Sequence, residues 1–326
     1  MWQKYIHSDP AGTLPYFVYT PVNYRVRKPV PLIVMLHGCT QTAASFAAST
    51  CMNELAEQHH FIVVYPQQTN NNNRSLCWNW FKPSNQVRDH GKPAVIAGIV
   101  QDIQQNKTRW TIDPRRIYVA GLSAGGAMAT ILGITYPELF AAIGVHSGLE
   151  YRAATNMIDG LRAMRRGGPD PVIQGHAAYA AMGPAARVVP LIVFHGTRDR
   201  LVHPMNGDMV VQQWMYTNHL ASQGTYAATF NKPSHIEARE VQGGRAYTMY
   251  QWADINGREV QEYWKVDGMG HGWSGGSPGN GYVDPSGPDA SFAMYQFFIR
   301  HPMSVQGDDK RMLWGHLRSM GERFLK

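Results

Sequence analysis

The segment richest in chemistry is Arg116-Ile117-Tyr118-Val119-Ala120-Gly121-Leu122-Ser123-Ala124-Gly125-Gly126-Ala127-Met128, where an apolar run meets a glycine-rich turn and then an alanine-rich stretch. Its centre, Gly121 to Gly125, fits the G-x-S-x-G pattern of a nucleophile elbow, a sharp strand-to-helix turn with a serine at its tip. Such a turn needs glycines, because Cβ atoms around the serine would drive two backbone segments into each other. The Ser123 hydroxyl then projects near the positive end of a helix, where the N–H of Ala124 can stabilise an oxyanion. A glycine-rich turn without chemistry has the same five letters; the strand before it and the helix after it favour the elbow.

An elbow requires three companions in predictable places. A second oxyanion donor should follow an earlier strand, and Leu32-Ile33-Val34-Met35-Leu36-His37-Gly38-Cys39 supplies the backbone N–H of Cys39. Only that amide is needed, which leaves the cysteine side chain free for a structural role. The acid should follow a later strand, and Leu191-Ile192-Val193-Phe194-His195-Gly196 leads through Thr197 and Arg198 to Asp199. The base should sit in a late glycine-rich loop, and Gly268-Met269-Gly270-His271-Gly272-Trp273 follows the run Glu262–Val266. Ser123, Asp199 and His271 thus occur in the order nucleophile, acid, base, each just past a strand.

Other titratable residues fit these roles less well. His37 and His195 precede glycines at strand ends and match fixed backbone turns, and His203 beside Asp199 reads as structural. Asp267, four residues before His271, is the second candidate for the acid. Asp208, Asp284 and Asp289 read as caps of turns or helices, and the pair His59-His60 reads as a helix end favoured by the dipole. No His, Cys and carboxylate spacing marks a metal site, and no cofactor motif is present.

To hold three such loops at one edge, strands must alternate with helices, the signature of an α/β fold with a mostly parallel sheet. Candidate strands are Tyr16–Thr20, Leu32–Leu36, Phe61–Tyr65, Ile117–Ala120, Ala142–His146, Leu191–His195 and Glu262–Val266. Several are apolar throughout, as strands buried on both faces should be. Helical periodicity covers Ala43–His59, Val95–Arg109, Gly125–Tyr136, Asp208–Ser222 and Ser291–Arg300. The stretch from Tyr151 to Arg187, rich in Ala, Met and Gly, reads as a small helical cap inserted in a single catalytic domain spanning residues 1–300. A tail over 301–326 follows His301-Pro302. In it Leu313, Leu317, Met320 and Phe324 recur at helical spacing among Lys310, Arg311, Arg318, Arg323 and Lys326. That tail reads first as a helix packed on its own domain and second as a face for a partner subunit or an amphiphilic surface.

With 326 residues, 44% hydrophobic and only 16% charged, the chain excludes a disordered solvated polymer. No apolar run approaches the roughly 18 residues of a membrane span. The net charge of +7 is scattered without aromatic interleaving, so it reads as a basic surface rather than a nucleic-acid groove. Three cysteines, Cys39, Cys51 and Cys77, argue against a disulfide framework, while one bridge between Cys39 and Cys77 stays open. The first residues show no charged segment followed by an apolar one, which reads as cytoplasmic; a secreted protein stripped of its leader reads the same.

Taken together, the blocks PLIVMLHGCTQ (31–41), CWNWF (77–81), IDPRRIYVAGLSAGGAM (112–128), HGTRDRLVHPMNG (195–207), GMGHGWSGG (268–276) and DPSGPDAS (284–291) resemble the polyhydroxybutyrate depolymerase-like esterases of the α/β-hydrolase superfamily. The resemblance spans roughly Tyr16 to Arg300. It implies an α/β-hydrolase fold, Ser123 as nucleophile, His271 as base, Asp199 as its orienting acid, and the amides of Cys39 and Ala124 as oxyanion hole. Trp78, Trp80 and Trp273 fall in these blocks, where contact with acyl chains competes with core packing. The implied substrate is a polyester or small ester of short 3-hydroxy acids, cleaved without a cofactor. A feruloyl or acetylxylan esterase shares fold and triad and is the runner-up. More distant are an acyltransferase, in which transfer to alcohols would outrun hydrolysis, and a non-catalytic binder, which the intact triad argues against.

Overall fold

A computed structural model describes residues 1–279 and 281–304. The amphipathic pattern expected over 305–326 lies outside the described residues. The chain opens with the antiparallel hairpin β1 (Trp2–Asp9) and β2 (Gly12–Tyr19), then β3 (Val30–Leu36), helices α1 (Ala43–Thr50) and α2 (Met52–His59), and β4 (Ile62–Pro66). Next come α3 (Gly91–Gln105), β5 (Ile112–Leu122), α4 (Ala124–Thr135) and β6 (Ala142–His146). Two helices, α5 (Met157–Arg166) and α6 (Pro171–Met182), lie between β6 and β7 (Leu191–Gly196), inside the stretch expected to be helical. The chain continues through α7 (Met205–Ala221), β8 (His235–Glu240), β9 (Ala246–Ala253) and β10 (Glu259–Val266). Short strands β11 (Trp273–Ser274) and β12 (Val283–Asp284) precede α8 (Ala290–Arg300).

Ten of these strands form one sheet in the order β1-β2-β4-β3-β5-β6-β7-β10-β9-β8. From β4 to β10 every neighbouring pair is parallel. The antiparallel additions β1–β2 and β9–β8 extend the two edges. The interior strands are continuously buried because both faces are covered. Along β3, Leu32, Val34 and Leu36 enter the core beneath α3, α4 and α7, while Ile33 and Met35 enter the core beneath α1, α2 and α8. A strand's twofold alternation thus feeds two cores at once. Among the described residues no helix is long and apolar enough to cross a membrane.

The helical run expected over Ala43–His59 is two helices. Cys51 adopts a left-handed conformation (φ 53°, ψ 24°) and ends α1. The carbonyls of Ser49 and Thr50 are taken by the N–H of Ser277 (3.1 Å) and the hydroxyl of Ser291 (2.6 Å). Tertiary donors satisfy acceptors that a continuous helix would have used itself.

Candidate active site

Ser123 stands between β5 and α4 at φ 57° and ψ −118°, a backbone region that a residue with a side chain adopts only under constraint. The constraint comes from both neighbours in the elbow. A Cβ on Gly125 would collide with the carbonyl oxygens of Leu36 and His37, and one on Gly121 with the backbone of Gly125. The glycines therefore let the elbow press against the end of β3. The N–H of Ser123 donates to the carbonyl of His146 at 2.9 Å, fixing the turn to β6.

Asp199 is buried beyond the end of β7. Its Oδ1 accepts the N–H groups of Leu201 and Val202, both at 2.9 Å, and its Oδ2 lies 2.7 Å from Nδ1 of His271. The buried His195 ring is 3.5 Å away on the other side and donates from Nε2 to the carbonyl of Val202. Burial alone would raise the Asp199 pKa. The hydrogen bonds and positive character of His195 and His271 outweigh that and hold the carboxyl well below its usual range. An ionised carboxylate only accepts, so Nδ1 of His271 donates to it, and Nε2 is the ring nitrogen left facing away from Asp199.

His271 and Ser123 line the same cavity, of about 100 Å³, together with Gly38 and Cys39. Among the described residues the Ser123 hydroxyl makes no hydrogen bond, so the contact is closed between Asp199 and His271 and open between His271 and Ser123. Such looseness is common before substrate is seated. Neither the N–H of Cys39 nor that of Ala124 is taken by another group among the described residues, leaving two donors beside the serine.

The turn that carries the first donor is held from several sides. Cys39 and Cys77 form a disulfide, Cα–Cα 4.3 Å, while Cys51 is a free thiol. Gln41 accepts the N–H of Gly38 through Oε1 at 2.8 Å, and the N–H of Thr40 donates to Ser75 at 2.7 Å. His37 donates from Nδ1 to the carbonyl of Gly38 and accepts the N–H of Gln68, and burial lowers its pKa to about 4. It is a neutral brace of the turn, not a base.

The remaining candidates are placed plainly. The carboxylate of Asp267 makes no hydrogen bond to His271; the acid that does is Asp199. Asp289 caps α8, Asp284 pairs with Arg245 at 2.7 Å, and Asp208 pairs with Lys265 at 2.8 Å. His59 ends α2 and stacks on Tyr295. None of the three tryptophans lines the cavity. Trp78 is buried and donates to the carbonyl of His37 at 2.8 Å, Trp80 is buried below Gly160 of α5, and Trp273 is buried and donates to Ser291 at 3.0 Å. Buried indoles settle where their N–H finds an acceptor, which for Trp78 is the carbonyl of His37 and for Trp273 the hydroxyl of Ser291. Instead Gln41, Leu122, Met164, Leu201 and Tyr282 complete the lining. Gln41, Leu122 and Leu201 stand in the blocks 31–41, 112–128 and 195–207, whereas Tyr282 lies in a loop where neither pattern nor periodicity marks it.

The chain is 34% identical over 266 residues to "Poly(3-hydroxyalkanoate) depolymerase C" of Paucimonas lemoignei, covering 80% of this chain and 59% of that protein. It is 30% identical over 204 residues to "Feruloyl esterase B" of Neurospora crassa, covering 60% of this chain and 68% of that one. The chain thus spans about three fifths of the length of the Paucimonas protein. Among solved structures, an acetyl xylan esterase from Aspergillus awamori superposes with a TM-score of 0.72 at 20% identity, over 91% of this chain and 99% of that one. That likeness shows the α/β-hydrolase fold. The family model described as Esterase PHB depolymerase matches residues 14–237, which include Ser123 and Asp199, and the chain belongs to that family.

Proposed function

We propose that the protein is a serine esterase that hydrolyses poly- or oligo(3-hydroxybutyrate) and related short-chain esters through an acyl-enzyme. The observation that carries this reading is the 2.7 Å bond from His271 to the buried Asp199 at a cavity shared with Ser123. Nε2 of His271 takes the proton of Ser123 Oγ as that oxygen attacks the ester carbonyl. The N–H groups of Cys39 and Ala124 receive the developing oxyanion, each worth on the order of 3 kcal/mol in comparable sites. The imidazolium, stabilised by Asp199, returns its proton to the leaving alcohol. Water activated by the same nitrogen then releases the acid and restores Ser123.

The lining supports a neutral, aliphatic acyl group. Leu122, Met164 and Leu201 offer apolar surface, and among the described residues no Asp, Glu, Lys or Arg lines the cavity. The 34% relationship to a protein named for poly(3-hydroxyalkanoate) favours the polyester reading over the sugar-ester one, which the 30% relationship to a feruloyl esterase supports. The Cys39–Cys77 bridge favours work in an oxidising compartment. The test is product release from hydroxybutyrate oligomers, polyester film, an acetylated xylan and a feruloyl ester, compared at equal enzyme. Fastest turnover of the hydroxybutyrate substrates supports the reading; fastest turnover of the sugar esters overturns it in favour of the second.

A further inference from the structure

Strand β8, His235-Ile236-Glu237-Ala238-Arg239-Glu240, ends the sheet, and among the described residues it pairs with β9 alone. The direction of its backbone groups follows from the ladders beside it. Just past β8 the N–H of Val241 donates to the carbonyl of Arg245 at 3.0 Å, in register with the β8–β9 pairing. Across β9, the N–H of Asp267 donates to the carbonyl of Ala246 at 2.9 Å, in register with the β9–β10 pairing. Hydrogen-bonded pairs recur at every second residue of an antiparallel ladder. His235, Glu237 and Arg239 therefore turn their main-chain groups toward β9, and Ile236, Ala238 and Glu240 turn theirs outward. The strand holds no proline, its register with β9 is continuous, and Ile236 is 55% exposed. Such an edge is a template for another strand unless its charges forbid the pairing.

We infer that the outer edge of β8 pairs antiparallel with β8 of a second copy of this chain, about a twofold axis at Ala238. The charges of the strand select both partner and register. Outward-facing groups must meet outward-facing groups, and pairing Ala238 with its own copy engages all three such residues, since Ile236 then meets Glu240 of the second copy and Glu240 meets Ile236. In that register Glu237 lies opposite Arg239 of the second copy, and Arg239 opposite its Glu237, at the closer, non-hydrogen-bonded spacing. A slip of two residues one way sets Glu237 against its own copy, and a slip the other way does the same for Arg239. Like charges directly opposite destabilise a pair of strands, so both slips are disfavoured. Within one chain Glu237 and Arg239 already form an ion pair, with the Arg239 side chain 63% exposed, so both charges stand on one face and can exchange partners. The methyl group of Ala238 leaves the axis uncrowded. Strand β8 lies two strands beyond β10, whose end leads to His271, and none of its residues lines the cavity of Ser123. The pairing therefore leaves each active site open and holds whatever ester is cleaved there.

The test is the molar mass of the purified protein by analytical ultracentrifugation across micromolar concentrations, beside three variants. Expected is a monomer–dimer equilibrium that Ala238→Pro abolishes, because proline removes the outward N–H at the axis and spares the ladder to β9. Arg239→Glu gathers four carboxylates at the axis and weakens the dimer by about tenfold or more. Glu237→Arg combined with Arg239→Glu restores complementary pairs and brings the affinity back toward that of the wild type. Tm and kcat/KM on p-nitrophenyl butyrate stay unchanged in all three; should Ala238→Pro lower Tm, the charge variants decide alone. A wild type that stays monomeric throughout overturns the inference, and so does a dimer that neither Ala238→Pro nor Arg239→Glu weakens. A dimer lost in Arg239→Glu and not recovered by the reversed pair overturns the register and the inference with it.

Discussion

The backbone carbonyl of His146 accepts the N–H of Ser123 at 2.9 Å, so the turn of Ser123 hangs from the end of β6. The same residue reaches the loop of His271. Its ring Nε2 accepts the N–H of Ser274 at 3.0 Å, three residues beyond His271. The ring is stacked between Phe194 and Trp273, and burial, with the nearby His195 and His271, pushes its pKa well below the ordinary histidine range. It is therefore a neutral acceptor, and it ties the loops of Ser123 and His271 to one strand. His146→Phe keeps the stacking and orphans the Ser274 amide, a loss on the order of 1–3 kcal/mol for a buried donor. Steady-state kinetics on a soluble ester should show kcat reduced roughly tenfold or more with KM little changed. Unchanged kcat would mean that this bond positions nothing.

The disulfide makes a second prediction. Cys39 and Cys77 close a loop of 38 residues, for which chain entropy gives a stabilisation of about 3–4 kcal/mol. In the mechanism proposed above the N–H of Cys39 is an oxyanion donor, so the bridge would also hold that donor in register. The Cys39→Ser, Cys77→Ser variant should unfold at lower denaturant and should lose kcat more than it raises KM. Loss of stability with kinetics intact would restrict the bridge to a structural role.

Glu150 makes a third. It follows β6, is buried, and neither carboxylate oxygen has a hydrogen-bond partner among the described residues. Burial, and secondarily the charge of Asp170, raises its pKa from 4.5 to about 9. Between those values the folded chain holds a proton that the unfolded chain has released, so Glu150 lowers stability as pH rises through that window. Glu150→Gln removes the linked proton. Wild type and variant should melt together near pH 4.5, and the variant should become progressively more stable toward pH 9. A difference in Tm that is constant across that range would contradict the assignment.

The parts legible in the sequence were those where burial on two faces writes a continuous apolar run. Ala142–His146 is an element with the bounds the pattern predicts, and the turns after β3, β5, β7 and β10 carry the expected residues. The edge strands were not legible. β8 reads HIEARE, is solvent-facing along its length and pairs with β9 alone, so polarity on both faces leaves no alternation to read. β1 mixes Lys4 and Ser8 with Tyr5 and Ile6, and its pairing is set by the hairpin with β2. The break at Cys51 was illegible for another reason, since the donors that end α1 come from Ser277 and Ser291, far along the chain. Trp78, Trp80 and Trp273 sit in the motif blocks, but residue type does not say which side of a turn an indole takes. The acceptors of Trp78 and Trp273, the carbonyl of His37 and the hydroxyl of Ser291, are visible only in three dimensions.

The account stands on Ser123 being the atom that is acylated. The most direct measurement is hydrolysis of p-nitrophenyl butyrate by Ser123→Ala, beside a wild type of matched circular dichroism and Tm. Loss of at least about a thousandfold in kcat/KM is predicted, in line with removal of a triad nucleophile. A folded Ser123→Ala protein that hydrolyses the ester at the wild-type rate would contradict it.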